Sequence, residues 1–119
     1  MNGDKWIGSP KCYPVNKEAS TQKVDEIEVR VSYRRNCSAG RGFYVTLTPQ
    51  IIEDHGGCKM KSFDFWQVKT RKLLGAERYS KKAEKEALDA LAEFEPYWVA
   101  QMASAYGLVL EHDAIHGNW

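Results

Sequence analysis

The chain has 119 residues and a formal net charge of +1, from 17 basic and 16 acidic side chains. That near balance excludes the profile of a nucleic-acid coat protein or of an acidic DNA mimic. A composition 43% hydrophobic and 28% charged excludes a disordered or fibrous chain and predicts one globular domain with a modest core.

Cys12, Cys37 and Cys58 are odd in number and widely spaced. That pattern argues against a disulfide framework and for a reducing compartment. No apolar run approaches the length of a membrane span, and no apolar signal-peptide core opens the chain. The expected location is the cytoplasm, with no membrane partner.

In chain order, residues 1–24 show neither helical nor strand periodicity and hold two prolines and two glycines in their first fourteen positions. They predict an irregular N-terminal arm, pinned by Trp6 and Tyr13, ahead of a single domain over 25–119. The stretch "EIEVRVSYR" alternates cleanly, with Ile27, Val29, Val31 and Tyr33 on one face. It predicts a strand. "RNCSAGRG" is rich in turn formers, and "GFYVTLTP" predicts a second strand ended by Pro49. "EDHGG" reads as a turn and "CKMKSFDFW" as a third strand. Connections this short imply antiparallel neighbours.

The segment "ERYSKKAEKEALDALAEF" poses a question of where its helix begins. A start at Ser80 would set Lys81 and Lys82 at the positive end of the helix dipole. At 100° per residue, however, Trp66, Val68, Leu73, Ala76 and Tyr79 extend the apolar arc formed by Ala83, Ala87, Leu88, Ala90, Leu91 and Phe94. The stripe therefore predicts one long helix from near Val68 to Phe94, with Lys81 and Lys82 in its interior. Gly75 is its weak point. Pro96 would then open a second, short apolar helix, "PYWVAQMASAY", capped by Gly107, and "LVLEH" could add a fourth strand. The expected fold is α+β: a three- or four-stranded antiparallel sheet packed against a long helix and a second short one.

Charge is strongly segregated. Residues 59–85 hold nine Lys or Arg against three acids, a local net of +6, whereas 86–119 hold six acids and no Lys or Arg. Basic residues of this stretch, Arg71, Lys72, Arg78, Lys81 and Lys82, are candidate contacts for an acidic partner or for phosphates. The "SKKAEKEALDAL" run resembles the last helix of double-stranded-RNA-binding domains. It departs from that family at Glu84, where a small residue should pack on the sheet, and residues 1–24 lack the family's first helix.

Other chemistry is thin. His55, Cys58, His112 and His116 are ligand types for zinc, but they fall in a turn and a tail without a known spacing. No structural metal and no cofactor is expected. Cys37, near Arg34, Arg35 and Arg41, is a lone cysteine in a turn. No phosphate-binding glycine loop and no nucleophile–base arrangement is present, so an enzyme is not expected. Tyr97, Trp98 and Met102 are of the types enriched at protein interfaces.

The order "YVTLTP", a turn, an aromatic strand and "RYSKKAEKEA", over roughly 27–92, resembles small accessory proteins carried by phages and other mobile elements. The resemblance implies a non-enzymatic protein that binds and inhibits a host nucleic-acid-targeting defence, CRISPR–Cas included. The expected partner is a protein in a nucleic-acid-handling complex, reached through Arg71, Lys72, Arg78, Lys81, Lys82, Tyr97, Trp98 and Met102. The alternative is direct RNA or DNA binding through 59–85.

Overall fold

A computed structural model describes residues 5–35, 38–62 and 68–111. Its strands are β1 (Lys5–Pro14), β2 (Glu26–Arg34), β3 (Gly42–His55), β4 (Cys58–Ser62) and β5 (Lys69–Gly75), followed by one helix, α1 (Lys81–Ala105). All pairings are antiparallel. β2 lies between β1 and β3, and the long β3 also pairs with β4 and β5. The α+β class holds, with five strands rather than three or four and with one described helix rather than two. No helix among the described residues is long and apolar enough to cross a membrane.

The alternation in β2 decides which face is covered. Ile27, Val29, Val31 and Tyr33 lie opposite Pro49, Leu47, Val45 and Phe43 of β3 and form the core with Ala87, Leu91, Val99 and Met102 of α1. Removing this apolar surface from water is the main stabilising term.

Residues 5–14 are strand β1, not part of an irregular arm. The period is hidden because Ile7 pairs with Val31 while Lys11 pairs with Val29, so a bulge around Gly8 (φ 64°) interrupts the ladder. Lys11 also occupies a helix-side position where an apolar residue would have signalled a strand. Pro49 does not end β3. It falls between the β5 ladder, which reaches Leu47, and the β4 ladder, which starts at Ile51, so its missing N–H interrupts neither. Glu53, Asp54 and His55 belong to β3, and the turn itself is Gly56–Gly57, whose φ values of 64° and 91° suit a tight hairpin. Leu110 makes one bridge to Val15 rather than a strand, and residues 63–66 of the expected third strand lie outside the described residues.

The long helix through Ser80 is overturned. Residues 69–75 pair with β3, and α1 begins after Ser80, whose extended backbone (φ −152°, ψ 156°) and hydroxyl cap the helix by accepting the Ala83 N–H. The upstream apolar residues do reach the core: Leu73, Leu74, Ala76 and Tyr79 pack against it from β5 and its exit turn. Burial set that stripe; helical geometry did not. Gly42 permits the β3–β5 approach, since a Cβ there would stand 2.2 Å from the Leu74 carbonyl oxygen.

Pro96 does not start a second helix either. α1 runs 25 residues straight through it. The missing N–H leaves the Ala92 carbonyl without its helical donor, but Ala92 is exposed and water can satisfy it. Burial of Leu91 and Glu95 before the proline, and of Val99 and Met102 after it, holds both halves on one sheet.

Candidate interaction surface

The last half of α1 lies beside β5. In β5, Lys69 and Arg71 sit opposite Leu47 and Val45, on the helix side of the sheet, whereas Thr70 and Lys72 sit opposite Thr46 and Tyr44 on the other side. On α1, Phe94, Tyr97, Trp98 and Gln101 follow each other at helical three- and four-residue spacing and so share a stripe. The two elements meet at Arg71. Its guanidinium carbon lies 5.3 Å from the centre of the Trp98 ring, and Arg71 Nη2 donates to Gln101 Oε1 at 3.3 Å. Phe94 stacks on the opposite partner of that pair, with ring centres 5.5 Å from Trp98 and planes 21° apart. Phe94 and Tyr97 are 46% and 59% exposed, so this aromatic surface is open to solvent.

Beside it runs a groove of about 290 Å³ lined by Leu47, Met102, Ala105, Trp98, Tyr106, Gln101, Lys69 and Arg71. The buried side chains of Leu47 and Met102 form apolar lining; the charges are both positive. A second concavity, about 370 Å³, opens between β1 and α1 over Val29, Val31, Leu88 and Leu91, with Lys11 and Glu95 among its lining.

The sequence-derived site residues are not one surface. Arg71 and Trp98 are brought together, and Tyr97 is exposed next to them. Met102 is only 4% exposed and is a core residue that contributes to the groove. Lys72 points to the other side of the sheet and donates to the Ala39 carbonyl at 2.8 Å. Arg78 lies exposed in the turn before α1, and Lys81 and Lys82 are the exposed first residues of α1. The strand alternation of β5 divides the basic stretch, which a helical reading would have kept together. Phe94, Gln101 and Lys69 were missed. Phe94 and Trp98 at i,i+4 were the available signal, but the wheel assigned Phe94 to the core arc.

Among the described residues every buried side-chain nitrogen and oxygen has a hydrogen-bond partner. Glu95, buried at 5% exposure, accepts from the Tyr13 hydroxyl and from Lys11 Nζ, the latter at 2.9 Å. Burial, and then the hydrogen bond and charge of Glu95, raise the Tyr13 pKa. Burial opposes ionisation of Asp25, but the Ile52 N–H and Lys17 outweigh it and hold Asp25 below its usual pKa. Tyr79 donates to Glu84, and this bond raises the pKa of Tyr79. Glu84 is the acidic residue of the first helical turn.

Of the candidate metal ligands, His55 lies opposite Cys58 in the hairpin and bonds Glu53 at 2.9 Å. His112 and His116, like Cys37, lie outside the described residues. Among the described residues, Cys12, Glu26 and Glu28 have ligand atoms within 4.8 Å of one another. Glu28 there is held by Arg30 Nε at 2.6 Å. Compared with family models, curated proteins and solved structures, the chain matches none.

Proposed function

We propose that the protein is a non-enzymatic binding protein that acts by protein–protein contact through the surface formed by Arg71, Phe94, Tyr97 and Trp98. The observation that carries this reading is the Arg71 guanidinium stacked on Trp98 and tied to Gln101, beside two exposed aromatic rings. Arg and aromatic side chains held in fixed orientation lose little entropy on binding, and such residues dominate interface energetics. In keeping with the resemblance to phage and mobile-element accessory proteins, the partner is a component of a host nucleic-acid-processing or defence machine, CRISPR–Cas included, and the effect is inhibition by occupation. The test is co-purification of a host complex with the wild-type protein and with Tyr97→Ala and Arg71→Glu, each with and without nuclease. A complex that survives nuclease and is lost in both variants supports the reading. One that disappears with nuclease contradicts it.

A second reading, direct nucleic-acid binding, draws support from the other face of the sheet rather than from 59–85 as a unit. There Arg30 lies over Trp6 at 5.1 Å and Arg34 over Tyr44 at 5.7 Å, with Lys72 exposed nearby in the register. Bases stack on an exposed ring such as Trp6, which is open to solvent whereas Tyr44 is buried, and phosphates meet the cations. Steep weakening with salt would mark this mode, because phosphate contacts release counterions.

A further inference from the structure

We infer that the groove between β5 and α1 receives an acidic peptide segment of the partner, with one apolar side chain seated on Leu47, Met102 and Ala105 and flanking carboxylates on Arg71 and Lys69. This rests on the protein-partner reading above and adds to it the chemistry of the segment recognised.

Charge and shape both select the occupant. Lys69 and Arg71 are the charged side chains of the lining, and no acidic residue among the described residues lines the groove. Both are exposed and lie on the same side of β5. Arg71 has five N–H donors in a planar fork, and the Gln101 contact together with the Trp98 ring fixes the plane of that fork. A carboxylate approaching it finds an oriented, charge-assisted pair rather than a mobile side chain. At about 290 Å³ the groove has room for one large apolar side chain and part of its backbone. Gln101 Oε1 already accepts from Arg71, which leaves the Gln101 amide N–H groups and the Tyr106 hydroxyl of the lining to meet a peptide backbone. The apolar floor of Leu47, Met102 and Ala105 seats a side chain, which favours a peptide over a nucleotide. A second copy of the chain would bring the acidic outer residues of α1, Glu86, Asp89 and Glu93, to the groove, and the test separates that outcome.

The test uses the full chain and four defined probes: the peptide Glu-Glu-Phe-Glu-Glu, the same peptide with Ser for Phe, its Lys-for-Glu counterpart, and a short oligothymidylate. Binding is followed by amide chemical shifts and titrated at moderate salt. The acidic Phe peptide is expected to bind and to shift residues of β5 and the last half of α1. The Ser and Lys peptides should each bind about 10-fold more weakly or worse. Arg71→Glu should reduce binding by a similar factor. Ala105→Trp fills the groove from an exposed position at the end of α1 and should abolish binding while the rest of the spectrum stays native. Equal binding of the acidic and basic peptides, preference for oligothymidylate, insensitivity to Ala105→Trp, or no peptide binding would overturn the inference. Self-association abolished by Ala105→Trp would assign the groove to a second copy and overturn it as well. The protein-partner reading fails separately, through loss of the co-purified complex on nuclease treatment.

Discussion

The Tyr13 hydroxyl donates to Glu95 Oε2, which joins the first strand to the middle of α1 across the top of the core. Lys11 reaches the same oxygen from β1. A buried carboxylate with two donors is stable; one with a donor removed is left partly unsatisfied. Tyr13→Phe should therefore destabilise the fold by about 1–3 kcal/mol, and Glu95→Ala should do so by at least as much because it strands the tyrosine hydroxyl. Urea titration of both single variants and the double variant measures the coupling, which should be clearly non-zero for residues in contact.

The same pair predicts alkaline behaviour. The folded protein holds Tyr13 protonated more tightly than an unfolded chain does. The stabilisation is fully present below the ordinary tyrosine pKa of roughly 10 and is lost as pH rises beyond it. Wild-type stability should fall in that range, and Tyr13→Phe should remove this component of the fall. Asp25 acts at the other end of the scale. Its depressed pKa gives stability that is present above the unfolded value and lost as pH falls. Asp25→Asn should flatten the acid limb of a stability–pH profile; an unchanged limb would contradict the Ile52 and Lys17 contacts.

Lys81 and Lys82 occupy the first turn of α1, behind the Ser80 cap. Cations there oppose the helix dipole. Lys81→Glu and Lys82→Glu should each stabilise the fold by about 0.3–1 kcal/mol at low salt, an effect reduced by added salt. Ser80→Ala should cost about 1 kcal/mol. Thermal melts at two ionic strengths check all three. A helix that began upstream would show neither the charge effect nor the capping loss.

Two glycines are under steric demand. A Cβ on Gly42 would meet the Leu74 carbonyl oxygen, and one on Gly107 (φ 67°) would stand 2.1 Å from Thr21 Oγ1. Gly42→Ala should be the more damaging, by roughly 2 kcal/mol or more, because the clash is with backbone of the paired strand. Gly107→Ala strains one residue and displaces a surface threonine. The order of their melting temperatures tests the β3–β5 pairing directly.

β2 and the first half of β3 are legible in the sequence because one face is buried and the other polar, so Ile27, Val29, Val31 and Tyr33 alternate without interruption. β5 is not. Its Lys69, Thr70, Arg71 and Lys72 carry exposed side chains on both faces, as an edge strand does, and its Leu73 falls by coincidence on a helical arc with Tyr79. β1 is hidden by its bulge and by Lys11. Pro96 misleads because local helix chemistry argues for a break, whereas tertiary packing on both sides of it decides otherwise. The Arg71–Trp98 contact is hidden for the same reason as β5: the helical reading sets Arg71 on the long helix and Trp98 on a second, separate one, whereas a strand beside a helix brings them together.

Arg71 and the exposed rings beside it are the surface through which the protein is proposed to act. The most direct measurement is the association and dissociation kinetics of the nuclease-treated partner complex with wild type, Arg71→Glu and Tyr97→Ala. Truncating Tyr97 should raise the off-rate by roughly 30-fold, equivalent to about 2 kcal/mol. Arg71→Glu should slow association, with an effect that shrinks as salt rises. Unchanged rate constants for both variants, with native spectra, would contradict the account.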